Sequence, residues 1–149
     1  MPPRLEFREI FHRSADYENA VAMRDRILRA PLGLSFSEAE LEAESADWHL
    51  GGFDPASGEL VACLVLTPLT GRVVKMRQVA VVENRQHHGF GSSLVRFAEA
   101  FASSHGAHQV ELHARAEVVA FYLRHDYKVE GPAFLEVTIP HRKMRKALR

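Results

Sequence analysis

The chain has 149 residues, of which 46% are hydrophobic and 26% are charged. These values are typical of a globular protein, and we expect residues 1–149 to form a single domain. The 19 Lys and Arg residues are balanced by 19 Asp and Glu residues, so the formal net charge is zero. Because nucleic-acid-binding proteins usually carry a basic excess, the balanced charge predicts that the protein has no nucleic-acid partner.

Cysteine, histidine and apolar residues exclude further classes of protein. The single cysteine, Cys63, excludes an internal disulfide and a cysteine-based zinc site, and its apolar neighbours predict a small buried side chain. The nine histidines do not combine with carboxylates in a metal-ligand spacing, so no metal is expected. Residues 1–6 contain no apolar signal core, and no apolar run approaches the ~20 residues of a membrane span. We therefore expect a cytoplasmic protein with no membrane partner.

The apolar periodicity predicts an α/β fold. It predicts strands at residues 5–11, 48–53, 60–66, 73–82, 109–114 and 134–139, and helices at residues 16–29, 37–46, 92–105 and 117–125. Ser37 and Glu40 predict a capping box, and residues 54–58 predict a hairpin turn. Hairpins combined with strand–helix–strand crossovers imply a sheet of mixed direction. The basic residues 142–149 follow the last predicted strand, and we expect them either to form a solvated edge or to attract an anionic phosphate group of a ligand.

A loop with two glycines lies between an apolar strand and a helix. The strand ends at residues 79–82, and the loop consists of Gln86, His87, His88, Gly89, Phe90, Gly91 and Ser92. Glycine allows a ligand to approach the backbone closely, and the first amide groups of a helix lack partners and carry partial positive charge. Such a loop can bind a phosphate, although two glycines are also compatible with close packing of the strand on the helix.

Two common phosphate-binding patterns do not fit this loop. The Walker pattern needs a lysine after its second glycine, but Ser92 follows Gly91. The dinucleotide-binding pattern Gly-x-Gly-x-x-Gly needs a glycine at position 94, which is Leu94. These residues alone leave open which phosphate compound binds.

Two motifs resemble those of the GNAT superfamily of N-acetyltransferases. Residues 86–91 contain Gln-x-x-Gly-x-Gly, which resembles the Arg/Gln-x-x-Gly-x-Gly/Ala motif, and residues 121–127 resemble its second motif, Phe-Tyr-x-x-x-Gly-Phe. Asp126 stands where the second motif has glycine, and Asp tolerates a left-handed backbone better than most residues. The order of elements also fits, and residues 131–144 are similar to the small bacterial ElaA-type branch.

The resemblance implies the GNAT acyl-CoA N-acyltransferase fold, with acetyl-CoA as co-substrate. In members of the family the pyrophosphate binds the amides that correspond to residues 86–92, and the pantetheine arm lies beside Val79, Ala80 and Val81. The thioester carbonyl accepts a hydrogen bond from a backbone N–H near Val79 or Ala80, which also stabilises the oxyanion.

The implied activity is direct transfer of the acetyl group from acetyl-CoA to a primary amine of a small molecule. No Cys or Ser motif suited to an acyl-enzyme is present. Two alternatives remain open: acetylation of protein N-termini or lysines, and a non-catalytic acyl-CoA-binding sensor. Many members of the superfamily pair, so a homodimer is also an expectation.

Tyr122 and His113 are the candidate catalytic residues. Tyr122 matches the general acid of the family, which faces the sulfur of coenzyme A, although an aromatic residue in a helix can also serve packing alone. His113 alternates with apolar residues on the strand after the loop helix, and imidazole suits a base near neutral pH. A solvated or packed imidazole, and a relay of water, are the alternatives for His113.

Arg24 and Glu136 are the candidate acceptor-binding residues. Arg24 lies on the apolar stripe of the first predicted helix, where it either binds an anionic group of the acceptor or has a structural role, as a side chain that extends to solvent or as part of an ion pair. Glu136 and His141 match the C-terminal pattern of the ElaA-type branch, and they either line the acceptor pocket or serve strand packing.

Overall fold

Seven strands form one sheet, which a computed structural model describes for residues 4–149. Residues 1–3, part of the segment searched above for a signal core, lie outside the described residues. The strands are β1 (Glu6–Ile10), β2 (Trp48–Phe53), β3 (Leu60–Pro68), β4 (Val73–Val81), β5 (Gln109–Arg115), β6 (Lys128–Glu136) and β7 (Ile139–Ala147). They lie in the order β1-β2-β3-β4-β5-β7-β6. Strands β4 and β5 run parallel and the other neighbours antiparallel, which confirms the predicted mixed sheet.

In the part of the chain that the structure describes, four α-helices connect or cover the strands. They are α1 (Ala15–Arg24), α2 (Glu38–Ala43), α3 (Phe90–Ser104) and α4 (Val119–Arg124). The capping box predicted at the start of α2 is confirmed, since the Ser37 side chain accepts from the Glu40 N–H at 3.1 Å and Glu40 accepts from the Ser37 N–H at 3.1 Å. No helix among residues 4–149 is long and apolar enough to cross a membrane.

The first predicted helix ends earlier than its apolar pattern indicates. Helix α1 gives way to a π-helical turn at Asp25–Arg29 and then to a 3₁₀ turn at Ala30–Leu32. A π turn adds a residue to the helical repeat, which a pattern of period 3.6 does not reveal. Gly33, with φ 72°, ends this segment.

Apolar side chains pack on both faces of the sheet. Helix α3 covers one face, where its buried residues Leu94 and Ala98 join Leu112 and Met144 of the sheet. Helix α1 covers the other face near β1 to β4, where the packed side chains include Tyr17, Ala20, Met23, Phe53, Cys63 and Ala80. Cys63 is 2% exposed, which confirms the prediction of a small buried side chain.

The predicted solvated tail is wrong, because most of residues 142–149 belong to β7. This strand lies between β5 and β6. Its basic side chains pair with acids of neighbouring elements: Lys143 with Glu130 at 3.5 Å, Arg145 with Glu111 at 3.8 Å, and Lys146 with Glu99 at 3.0 Å. The last predicted strand, residues 134–139, is also wrong in extent, since β6 ends at Glu136 and a turn at residues 137–138 leads into β7.

Candidate active site

Strands β4 and β5 separate part-way along their length. Their parallel pairing begins with Val73 opposite Gln109 and stops after Met76 opposite Leu112. Beyond that point β4 carries a bulge against β3, where Gln78 has a left-handed backbone with φ 56°. Because a bulge bends its strand and increases the local twist, the end of β4 diverges from β5 and leaves an opening.

The end of β4 directs unpaired backbone groups into this opening. The Val82 N–H donates to the Val61 carbonyl of β3 at 2.8 Å. Consecutive residues of an antiparallel strand direct their amide groups to opposite sides, so Val79 and Val81 face the opening and Ala80 faces β3. Of the two residues predicted to offer an N–H to a thioester carbonyl, Val79 therefore has the suitable direction and Ala80 does not.

The glycine-containing loop holds its backbone amides free. The Gln86 side chain donates from Nε2 to the Val81 carbonyl at 3.0 Å, which ties the loop to the end of β4. His87 and Gly89 have left-handed backbones, with φ 66° and 80°. Within the described part of the chain, the amide N–H groups of residues 86–92 donate no hydrogen bond. They are therefore available to a ligand at the N-terminus of α3, where the helix dipole favours an anion.

The loop contains no lysine or arginine. Phe90 is buried, and His88 is exposed. The Ser92 hydroxyl is hydrogen-bonded to His125 Nε2 at 2.9 Å. Gly91 lines the adjoining cleft, where a Cβ would meet only ordinary contacts at 3.8 Å. The loop thus fits an anion through its backbone rather than through basic side chains.

The opening between β4 and β5 belongs to a cleft of about 690 Å³, a size common for small-molecule sites. The cleft brings together many of the predicted site residues: Val79, Ala80, Val81, Gln86, Gly91, His113, Tyr122 and Glu136. The segment that follows α1 forms an opposite wall through Leu28, Leu32 and Leu34. His87, His88, Gly89, Phe90 and Ser92 are outside the lining, and they adjoin Gln86 and Gly91 in the loop.

His113, Glu136 and His141 lie together in the cleft, and the first two are hydrogen-bonded. His113 Nδ1 lies 2.9 Å from Glu136 Oε1, and His141 Nε2 lies 3.6 Å from Glu136 Oε2. Burial raises the pKa of the Glu136 carboxyl, but its hydrogen bond with His113 and nearby positive charge outweigh burial and lower the pKa below its usual value. Glu136 is therefore an anion at neutral pH that can orient the His113 ring and leave its Nε2 to act on a ligand.

Among residues 4–149 no group of three His, Cys, Asp or Glu side chains is placed to hold a metal ion. His141 Nδ1 lies 2.7 Å from the Ile139 carbonyl, which can only accept, so this nitrogen carries the proton. The Ile139 carbonyl therefore fixes the His141 ring with its Nε2 toward the Glu136 carboxylate.

Tyr122 lines the same cleft from α4. Its side chain is 7% exposed and packs edge-on against Phe121 and Tyr127. Burial raises the pKa of the Tyr122 hydroxyl to about 12. The hydroxyl therefore keeps its proton throughout the physiological range and can donate it or a hydrogen bond.

Arg24 does not line the cleft, which corrects its assignment as an acceptor-binding residue. Its guanidinium is 1% exposed and forms two hydrogen bonds with the carboxylate of Glu44, at 2.9 and 2.5 Å. A third contact joins Arg24 Nε to Gln78 Oε1 at 3.4 Å. The structure therefore places Arg24 in a structural ion pair, the second of the two interpretations made from the sequence.

Sequence reasoning missed Lys75, Gln78 and the segment after α1 as parts of the cleft. A signal for Lys75 is present, because Lys75 and Arg77 alternate with the buried residues Val74 and Met76 of β4. The two basic residues therefore lie on the sheet face opposite α3. The sequence gives no comparable signal for Gln78, because its left-handed backbone belongs to the bulge of β4 against β3.

Comparison with known proteins assigns the family. Residues 7–127 match the acetyltransferase (GNAT) family. The chain belongs to this family. A relative of this GNAT protein, YjcF of Bacillus subtilis (strain 168), described as an uncharacterized N-acetyltransferase, is 32% identical over 73 residues. The match covers 48% of this chain and 52% of YjcF, so the chain spans about half the length of that curated relative.

Solved structures share the fold of this GNAT protein over nearly all of its length. An acyl-CoA N-acyltransferase from Pseudomonas aeruginosa superposes with a TM-score of 0.81 at 22% identity, covering 96% of this chain and 99% of that one. Escherichia coli ElaA gives 0.81 at 18% identity, with coverage of 95% and 99%. An aminoglycoside 6'-N-acetyltransferase complexed with coenzyme A gives 0.76 at 17% identity, with coverage of 95% and 96%. The GNAT fold predicted from the two motifs is confirmed.

Proposed function

We propose that this GNAT protein transfers the acetyl group of acetyl-CoA directly to a primary amine of a small molecule. The observation that carries the proposal is one continuous cleft, which runs from the free loop amides past the open edge of β4 to Tyr122 and the His113–Glu136 pair. The coenzyme A bound to the aminoglycoside 6'-N-acetyltransferase supports the same co-substrate here.

In the proposed complex acetyl-CoA extends along the cleft. The amides of residues 86–92 bind the pyrophosphate, and the pantetheine arm pairs with the backbone groups of Val79 and Val81. The Val79 N–H donates to the thioester carbonyl, and this hydrogen bond strengthens as the oxygen becomes an oxyanion.

The acceptor must lose two protons during the reaction. An alkylammonium with a pKa near ~10.4 is mostly protonated at neutral pH, and its first proton passes to His113, which Glu136 orients. The amine nitrogen then attacks the thioester carbon, and the carbon–sulfur bond breaks. The second proton of the amine nitrogen is transferred to the departing sulfur, to which the Tyr122 hydroxyl donates a hydrogen bond while keeping its own proton. His113 releases the first proton to solvent. The products are the N-acetyl compound and free coenzyme A.

No cysteine intermediate is needed in this scheme. Cys63 faces α1, with its sulfur 4.0 Å from the Ala20 carbonyl and from the Met23 sulfur. Burial raises the pKa of its thiol to about 12, which suppresses the nucleophilic thiolate. Direct attack by the amine is therefore the simplest path.

Release of thiol from acetyl-CoA, measured across a panel of primary amines and peptides, tests the proposed function. We expect at least one small amine to gain an acetyl group at nitrogen by mass spectrometry. His113→Gln should lower kcat/KM at least tenfold with acetyl-CoA affinity retained, whereas His108→Gln, an exposed histidine outside the cleft, should not. Acetylation confined to peptides would assign a protein acceptor, and binding of acetyl-CoA without any transfer would indicate a sensor.

Gly89→Ala should weaken acetyl-CoA binding at least tenfold, because the left-handed backbone at φ 80° is costly for any residue with a Cβ. If the backbone at residue 89 moved to relieve this strain, the amide groups of the following loop residues would rotate away from the pyrophosphate. Gly58→Ala is the matched control, since Gly58 has φ 77°, equally open surroundings and a position in the β2–β3 turn. Both variants should lose about 1 kcal/mol of stability. Calorimetry that found equal acetyl-CoA affinity for both variants would exclude the loop contact.

A further inference from the structure

We propose that the acceptor is a zwitterion: an amine with a carboxylate a few bonds away and an apolar side chain, as in an apolar α-amino acid. The proposal rests on the proposed function, because it assigns the acceptor of the same cleft. Lys75 and Glu136 both line this cleft without forming an ion pair with each other. A ligand with one negative and one positive charge would give Lys75 and Glu136 each a partner of opposite charge.

Lys75 is a cation with no partner in the described part of the chain. It is half-buried, and no carboxylate oxygen lies within 4.0 Å of its Nζ. Glu111, which lies opposite Lys75 in the parallel register, contacts Arg145 instead, at 3.8 Å. Because Lys75 alternates with the buried Met76, it lies on the sheet face that also carries His113.

Glu136 supplies the complementary negative charge. Its carboxylate is hydrogen-bonded to His113 at 2.9 Å, and the charge of Lys75 contributes to the lowered pKa of Glu136. Lys75 is therefore near enough to act on Glu136 electrostatically but lies beyond contact distance. A zwitterion fits this arrangement, with its carboxylate on Lys75 and its ammonium on Glu136 beside the proposed base.

Each of the three arginines of the cleft has a partner in the protein, which is a carboxylate for Arg29 and Arg77 and a backbone carbonyl for Arg115. Arg29 lies 3.3 Å from Glu40, Arg77 lies 3.6 Å from Asp47, and Arg115 donates to the Leu28 carbonyl at 3.3 Å. Arg24, considered from the sequence for an anionic group of the acceptor, is buried against Glu44. Among the lysine and arginine side chains of residues 4–149 that line the cleft, Lys75 is thus the one with neither a hydrogen bond nor an ion pair.

Apolar side chains form another part of the wall of the acceptor half. Leu28, Leu32 and Leu34 come from the segment after α1, and Val137 comes from the turn between β6 and β7. These side chains would bury an aliphatic group of the acceptor and stabilise it by roughly 25 cal/mol per Å² of apolar surface. An acceptor with three recognised parts follows: a carboxylate, an amine and an aliphatic group.

The test compares leucine, leucinamide and 3-methylbutylamine, which differ only in the carboxylate group. Both kcat/KM, from thiol release, and Kd, from calorimetry in the presence of coenzyme A, are measured. We expect leucine to exceed the other two at least tenfold in kcat/KM or in affinity. Lys75→Met should remove this preference by lowering the value for leucine at least tenfold, with little change for leucinamide. Lys75→Glu should reverse the preference, so that 3-methylbutylamine has a higher kcat/KM or a higher affinity than leucine.

Lys128→Met, an exposed lysine of β6 outside the cleft, is the matched control and should keep the wild-type preference. Circular dichroism verifies that each variant is folded. If the wild-type protein had equal kcat/KM and equal Kd for leucine and leucinamide, the zwitterion proposal would be overturned. The proposed function would still hold if the protein transferred acetyl groups to other amines. Acetyl-CoA binding with no transfer to any amine would overturn the proposed function instead.

Discussion

Tyr122→Phe is expected to lower kcat about a hundredfold while the affinity for acetyl-CoA stays unchanged. General acids in active sites typically contribute 10²–10⁴-fold, and we place Tyr122 at the low end of that range. Burial raises its pKa to about 12, whereas a free thiol has a pKa near ~8.5. Complete proton transfer to the thiolate is therefore uphill by about 5 kcal/mol, so the hydroxyl stabilises the departing sulfur mainly as a hydrogen-bond donor.

The same raised pKa predicts the pH dependence of the rate. A phenol with a pKa of about 12 stays protonated as the pH rises through 8, 9 and 10. The wild-type kcat should therefore show no alkaline decline from Tyr122 in this range. A decline near pH 10 that disappears in Tyr122→Phe would show that Tyr122 has an ordinary phenol pKa.

Tyr127→Phe is the matched control for this substitution. Tyr127 is also buried, at 1% exposure, but its hydroxyl donates to Glu99 at 2.8 Å and it does not line the cleft. Its loss should cost about 1–3 kcal/mol of stability and leave kcat unchanged. If Tyr122→Phe also left kcat unchanged, Tyr122 would have no role in the mechanism, although the fold would stand.

Local signals in the sequence predicted those elements that local chemistry determines. The capping box at Ser37, the hairpin turn at residues 54–58 and the amphipathic helix α3 each depend on residues a few positions apart. Asp126 has φ 68°, as expected of a residue that replaces glycine in a left-handed turn. The backbone of such elements is therefore predictable from a single sequence.

Strand β7 depends on contacts that are distant in sequence. Its basic residues resemble a solvated tail because their acidic partners lie on β5, β6 and α3. The turn before it gives no signal either, since Val137 and Thr138 adopt φ 46° and 64°, where glycine or asparagine is usual. β-Branched residues rarely occupy this region, so the sequence favoured an uninterrupted strand.

The candidate site was predictable where a motif spans it and not where separate strands meet. The loop and Tyr122 follow from the two family motifs. The pairing of His113 with Glu136 arises from the order β5-β7-β6, which brings residues 23 positions apart into hydrogen-bond distance. Lys75 joins them through the parallel register of β4 with β5. The acceptor half of the cleft therefore depends on the order and register of the strands, which local sequence patterns do not reveal.

Arg24→Met is expected to destabilise the protein by about 3–5 kcal/mol, because it leaves the Glu44 carboxylate buried without its partner. Glu44 is 5% exposed, and its other side-chain partner is the hydroxyl of Tyr17 at 2.8 Å. Urea unfolding measures the loss. Arg26→Met on the same helical segment is the control, because the Arg26–Glu83 pair is exposed at 2.9 Å and should change stability by less than about 1 kcal/mol.

The pH dependence of this loss distinguishes an ion pair from a simple packing role for Arg24. Burial alone would raise the pKa of Glu44, but the ion pair with Arg24, together with the Tyr17 hydrogen bond and the charge of His49, outweighs burial and holds the pKa below 4.5. In the wild-type protein the pair therefore stabilises the fold above pH 4.5, and this stabilisation is lost as the pH falls through the lowered pKa. In Arg24→Met burial dominates and penalises the charged carboxylate. The loss of stability relative to the wild-type protein should therefore become smaller as acid protonates Glu44. A deficit that stayed constant down to pH 4 would mean that Arg24 acts through packing alone.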